Sequence, residues 1–138
     1  MNEKVEFALD VNGPEKIRPD LLDTFQYNGT EQLIQYVTKE FSALCPFSGL
    51  PDIAEIHIEY IPDRKCIELK SLKFYFLSYR NVGIYQEHAT HKIFQDLFTA
   101  IEPRWLRIKT MYATRGGIDS TCTIEKGQRN TDSSKNTS

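Results

Sequence analysis

Cys45 closes an apolar, β-branched segment at the edge of Pro46-Phe47-Ser48-Gly49-Leu50-Pro51, and Asp52 follows that stretch immediately. A thiol beside such a turn is open to solvent in a way that a thiol within an alternating core pattern is not. The thiolate is the nucleophile, and at an ordinary pKa of about 8.5 only a few per cent is ionised at neutral pH, so a working Cys45 needs a neighbour. Asp52 is the candidate. Seven extended residues span about 23 Å, but a Pro/Gly reversal can bring the two ends together. The spacing fits a nucleophile facing an acid, and it also fits an inert buried Cys45 beside an ordinary Pro-Asp turn. Cys66 and Cys122 look like packing residues.

Three further groups invite chemistry. Lys70, Lys73 and Arg80 fall within an arc of about 80° on a helical reading, a basic stripe able to hold phosphates or simply a solvated face. Gln86 and Glu87 open a second helical segment and project onto its apolar arc, where a carboxylate is costly without a partner; at a helix start it is also favoured by the macrodipole. Arg115-Gly116-Gly117 reads as a hairpin turn that could set a guanidinium on a phosphate. Neither a G-x-G-x-x-G nor a G-x-x-x-x-G-K-[ST] stretch is present, so any nucleotide must be gripped by side chains. Three cysteines without a C-x-x-C pair indicate neither a disulfide scaffold nor a four-ligand zinc site, and no metal is expected.

The elements that must position these residues are legible in outline. Gln32–Leu44 is β-branched and aromatic, and Ala54, Ile56, Ile58 and Tyr60 alternate with polar residues, giving two strands joined by the Cys45–Asp52 turn. Ile67–Asn81 reads as a helix with Leu69, Leu72, Tyr75, Phe76 and Tyr79 in an arc of about 120°. Phe74 and Leu77 lie opposite, which suggests that a second subunit covers that face. Tyr85–Ile101 is a second helix, with Ala89, Ile93, Phe94, Leu97, Phe98 and Ile101 on one face and Pro103 as its stop. Arg104–Thr114 and Ile118–Glu125 form a second hairpin. The order strand, strand, helix, helix, strand, strand predicts an α+β domain with one antiparallel sheet and its helices on one face.

Residues 1–30 read as an arm that needs something to lie on, 31–126 as the domain, and 127–138, without an apolar residue, as a disordered polar tail. At 138 residues the chain is one modest domain, and its net charge of −2 argues against a polybasic nucleic-acid binder. An apolar run of about 18 residues is missing, and MNEKVEFALDVNG lacks the order of a secretory signal, so a cytoplasmic protein is expected.

The strings Cys45-Pro-Phe-Ser-Gly-Leu-Pro-Asp52, Glu68-Leu-Lys-Ser-Leu-Lys-Phe-Tyr-Phe-Leu-Ser-Tyr-Arg80 and Tyr85-Gln-Glu87 closely resemble the NADPH-dependent 7-cyano-7-deazaguanine reductases, the nitrile reductases of queuosine biosynthesis. The resemblance covers roughly Leu21 to Glu125, including Leu-Leu-Asp-Thr-Phe in the arm and the Arg-Gly-Gly turn. It implies a tunnelling fold, two β-hairpins flanking a helix pair. It also implies Cys45 attack on the nitrile carbon with Asp52 as proton donor, a covalent thioimide, and two NADPH consumed per turnover as a dissociable cosubstrate. Ile67, Glu68, Leu69, Gln86 and Glu87 would bind the base, and Lys70, Lys73, Arg80 and Arg115 the cofactor. Relatives often have His where this chain has Gln86, and Gln cannot titrate near neutrality.

So small a domain has little interior for both a deazapurine and NADPH, so the sites should lie between subunits. The resemblance implies homo-oligomeric rings, commonly two stacked face to face, with no membrane or direct nucleic-acid partner. The alternatives are an archaeosine-type amidinotransferase that adds ammonia to the nitrile on tRNA, and a non-enzymatic ring-forming binding module. A zinc-dependent GTP cyclohydrolase shares the fold but requires a Cys/Cys/His set that is not evident.

Overall fold

The computed structural model describes residues 11–129. Four strands form an antiparallel sheet: β2 (Ile34–Leu44), β3 (Pro51–Ile61), β5 (Trp105–Arg115) and β6 (Ile118–Gly127), in the spatial order β2-β3-β5-β6. The β2–β3 register runs from Ile34 opposite Tyr60 to Leu44 opposite Pro51, with an irregularity between Thr38 and Phe41. Alternation decides the buried face. Ala54, Ile56, Ile58 and Tyr60 of β3 and Leu106, Ile108, Thr110 and Tyr112 of β5 are buried, while Glu55, His57, Glu59, Arg107 and Lys109 alternate with them on the other side.

Two helices, α1 (Leu69–Leu77) and α2 (Gln86–Ile101), cover the apolar face. Ala89, Ile93, Phe94, Leu97 and Ile101 of α2 and Leu72 and Tyr75 of α1 join the strand residues in one core. Two buried phenols are satisfied within it. Tyr75 Oη donates to Asp96 Oδ2 at 2.7 Å and lies 2.7 Å from Tyr79 Oη. Burial raises both phenol pKa values, so they serve as neutral hydrogen-bonding groups.

The helix expected over 67–81 is shorter. Ile67 belongs to β4 (Lys65–Ile67), which pairs with β1 (Thr24–Gln26) in a small second sheet that the sequence pattern did not reveal. Glu68 caps α1, and beyond Leu77 the chain tightens into i→i−3 bonds, Tyr79 N–H to Phe76 O and Arg80 N–H to Leu77 O. Arg80 therefore stands past the helix and off the expected helical arc. Leu69, expected in the core, is 54% exposed, because it is the first helical residue and lies before the stretch that packs on the sheet. Phe74 and Leu77 are exposed as expected for the second face.

Of the expected arm, residues 1–10 lie outside the described residues. Two short 3-10 turns, Pro14–Lys16 and Pro19–Leu21, run beside α1; Ile17 enters the core, and Arg18 N–H and Asp23 N–H donate to Ser78 Oγ and Ser71 Oγ. At the other end Gly127 still belongs to β6, opposite Trp105, and Gln128 N–H donates to Arg104 O, so the ordered domain extends beyond 126. Gly127 has φ +112°, and a Cβ there would stand 2.1 Å from Arg104 O, so only glycine fits. The remainder of the expected polar tail, from 130, lies outside the described residues.

Candidate functional site

The loop bearing Cys45 is closed by backbone bonds. Cys45 N–H donates to Leu50 O and Gly49 N–H to Cys45 O, each at 2.8 Å, with Gly49 in the left-handed region at φ +75°. Just before it, Leu44 N–H donates to Val82 O at 2.9 Å and Leu44 O accepts from Ile84 N–H at 3.0 Å. The thiol is thus fastened to the segment that leads into α2. Gly83 permits the close approach: a Cβ there would lie 3.2 Å from Pro46 Cα and 2.6 Å from Val11 Cγ1.

Cys45 is half-buried. Burial works against its thiolate, as does the charge of Asp52. Hydrogen bonds from the Ser48 side chain and from the backbone of Ser48 and Phe47 outweigh both, so the thiol pKa lies below its ordinary value. Asp52 is buried on the helix-covered face of the sheet, and its carboxylate is ion-paired with Arg115 from the tip of the β5–β6 hairpin. Tyr112, buried on β5, has its pKa pushed up first by burial and then by the charges of Asp52 and Glu87, so these two carboxylates bear on one phenol. Strand pairing sets Asp52 opposite Ala43 and Tyr112 opposite Ala54, Arg115 pairs with Asp52, and Ile84 is bonded to Leu44, so Cys45, Asp52, Tyr112, Arg115 and the start of α2 with exposed Glu87 and half-buried Gln86 lie at one end of the sheet.

Glu87 itself is exposed, not pressed onto the apolar arc as its helical angle predicts. In the first turn of α2 Gln86 is half-buried while Glu87 and His88 face solvent; burial begins at Ala89 and Thr90, where Thr90 Oγ1 lies 2.6 Å from Thr110 Oγ1.

Ile67, Glu68 and Leu69 sit elsewhere. Ile67 N–H donates to Tyr60 Oη at 3.0 Å, eight residues along β3 from Asp52, or about 26 Å of strand. Glu68 accepts from Ser71 N–H at 2.8 Å and Lys70 N–H at 3.0 Å, and these bonds hold its pKa below the ordinary carboxylate value. Lys73 and Arg80 line a groove of about 370 Å³ between α1 and β2, together with Glu40, Phe41, Leu69 and Phe76. Lys70 is exposed on the same helix. Arg115, grouped with these three bases by the sequence reading, stands on Asp52 instead.

Sequence reasoning missed Ser48 as a partner of the thiol and Tyr112 as a buried phenol on the strand beside Asp52. The hydroxyl three residues beyond Cys45 in a Pro/Gly turn is a signal for the first; β5 alternation marks Tyr112 only as core. Among the described residues, no group of three or more His, Cys, Asp or Glu is placed to hold a metal ion.

Residues 51–131 match the family described as QueF-like protein. The NADPH-dependent 7-cyano-7-deazaguanine reductase of Thermotoga maritima is 50% identical over 114 residues, 82% of this chain and 83% of that protein. The chain belongs to this family. A second reductase of the same name, from Caldicellulosiruptor bescii, is 46% identical over 114 residues, 81% of this chain and 87% of its own. Alignments of that length in a chain of 138 cannot avoid Cys45, Asp52 or Glu87. A crystal structure titled as the archaeosine synthase QueF-Like in the apo form matches with a TM-score of 0.67 at 22% identity, covering 73% of this chain and 99% of that one, a likeness of fold.

Proposed function

We propose that this chain reduces the nitrile of 7-cyano-7-deazaguanine to the aminomethyl group with NADPH, the activity for which its relatives are named, in the biosynthesis of the tRNA nucleoside queuosine. The observation that carries the reading is an acidified Cys45 thiol beside a buried Asp52 in a member of that family. Sγ of Cys45 bonds to the nitrile carbon while one C–N π bond breaks; the thiol proton passes through Asp52 to the nitrogen, leaving a thioimide. Once that carbon is reduced, Cys45 leaves as a thiolate and an imine is freed. When bound, NADPH supplies hydride, two equivalents because nitrile to amine is a four-electron reduction. Lys73 and Arg80 on their groove, with Lys70 beside them, suit its phosphates. Glu87 accepts from the amino group and ring N–H of the base, with Gln86 hydrogen-bonding beside it.

The separation of Ile67, Glu68 and Leu69 from Cys45 supports a site completed by a second subunit: the start of α1 from one copy meets the thiol end of another. Exposed Leu69, Phe74 and Leu77 favour such a contact. We read the domain as a tunnelling fold assembled into rings, two of them stacked.

The test is NADPH absorbance with 7-cyano-7-deazaguanine, paired with intact mass on protein given the nitrile alone. Nitrile-dependent NADPH loss and a mass gain equal to the base are expected. A mass gain without NADPH loss replaces the reductase by an amidine-forming enzyme, and neither signal leaves a binding module.

A further inference from the structure

The Arg115–Asp52 pair is built by a deliberate irregularity. The β5–β6 register runs regularly to Tyr112 opposite Ser120, shifts, and resumes at Arg115 opposite Ile118. Such a bulge re-aims the side chains that follow it. Beyond it, Gly116 and Gly117 turn the chain at φ +59° and +77°, with open space where a Cβ would stand. The Asp52 side chain is 7% exposed and that of Arg115 42%, so a buried carboxylate is met by a guanidinium reaching in from solvent. A buried charge without a partner is costly, and an arginine holds a carboxylate in a defined orientation.

We infer that Arg115 is a positioning residue for Asp52: by engaging Oδ1 it holds the buried carboxyl group in one orientation, with Oδ2 directed to proton transfer between Cys45 and the nitrile. This rests on the reading above and deepens it. The guanidinium serves the addition step, before any hydride is delivered, whatever it also does for a cofactor phosphate.

The experiment follows covalent adduct formation between the full chain and 7-cyano-7-deazaguanine without NADPH, by intact mass against time at saturating base. Arg115→Gln slows adduct formation roughly ten- to a hundredfold, the scale of a lost hydrogen bond to a charged group, and Arg115→Lys, which keeps the charge, recovers part of the rate. In an Asp52→Asn background, whose slower adduct is followed over longer times, neither Arg115 substitution costs more, because Arg115 acts through Asp52. Unchanged adduct rates with only a raised KM for NADPH overturn the inference, as do equal losses in both backgrounds. If Arg115→Gln does not fold, the Arg115→Lys comparison across the two backgrounds decides by the same criterion. No adduct in the unsubstituted chain overturns the nitrile reading itself, a result distinct from adduct formation that is indifferent to Arg115.

Discussion

The two ends of the β2–β3 ladder are finished to different degrees. At the Leu44–Pro51 end, Cys45 sits in a loop closed by its own backbone bonds, tied to Val82 and Ile84, with Asp52 buried and ion-paired. At the Tyr60 end Leu69 is exposed, and from there a groove lined by Lys73 and Arg80 runs along β2, with Phe74 and Leu77 facing outward on α1. The difference teaches how work is divided in a small domain. On the proposed function, reacting groups need fixed geometry, which one chain provides with short-range hydrogen bonds, whereas enclosing a large base and a dinucleotide would need surface from a second copy.

The largest effect expected is at the finished end. Cys45→Ala removes the nucleophile and lowers nitrile-dependent NADPH oxidation by at least about a thousandfold, with no mass gain from the base and an unchanged circular-dichroism spectrum. Appreciable turnover in this variant breaks the assignment of chemistry to that end.

Next comes the division itself. Co-expressing Cys45→Ala with a chain carrying Glu68→Ala regains activity relative to either variant purified alone, since a mixed assembly can place an intact thiol end against an intact α1 start. No gain on mixing, measured as NADPH loss per total protein, means that one chain holds the whole site.

A smaller change sharpens the account of the thiol. Because hydrogen bonds hold the Cys45 pKa below that of an ordinary thiol, the pH midpoint of its alkylation by iodoacetamide lies below that of a free cysteine. Ser48→Ala moves the midpoint upward by removing a hydrogen bond that favours the thiolate. An unmoved midpoint assigns the effect to the backbone N–H groups.

The smallest effect belongs to the open end. Glu68 has a folded pKa below its ordinary 4.5, so its contribution to stability is complete above pH 4.5 and is lost as pH falls through the lower, folded value. The Tm of the unsubstituted chain therefore declines more steeply below pH 4.5 than that of Glu68→Gln; parallel declines mean that the cap does not depend on charge.

Much of the frame was legible because alternation and helical periodicity report directly on which side of an element is buried. Both hairpins and both helices follow from that pattern, and the Cys45–Asp52 turn from its prolines and glycine. The small β1–β4 sheet was not, since three-residue strands carry too little pattern to stand out. Glu87 falls on the buried arc of a helical wheel because the wheel assumes equal burial along the whole helix, whereas in the first turn of α2 Glu87 and His88 face solvent and burial begins at Ala89.

What the sequence determined by itself is the kind of chemistry: a thiol and an acid flanking a reversal, a basic set and a carboxylate at a helix start. All of these are set by residue type and local spacing. Only the tertiary structure decided which of them meet. Val82–Ile84 docking on Leu44 carries the start of α2 to the thiol, and after the register shift in the last hairpin Arg115 pairs with Asp52. Those outcomes depend on strand register and on which backbone groups find partners across the fold, quantities that no local spacing contains.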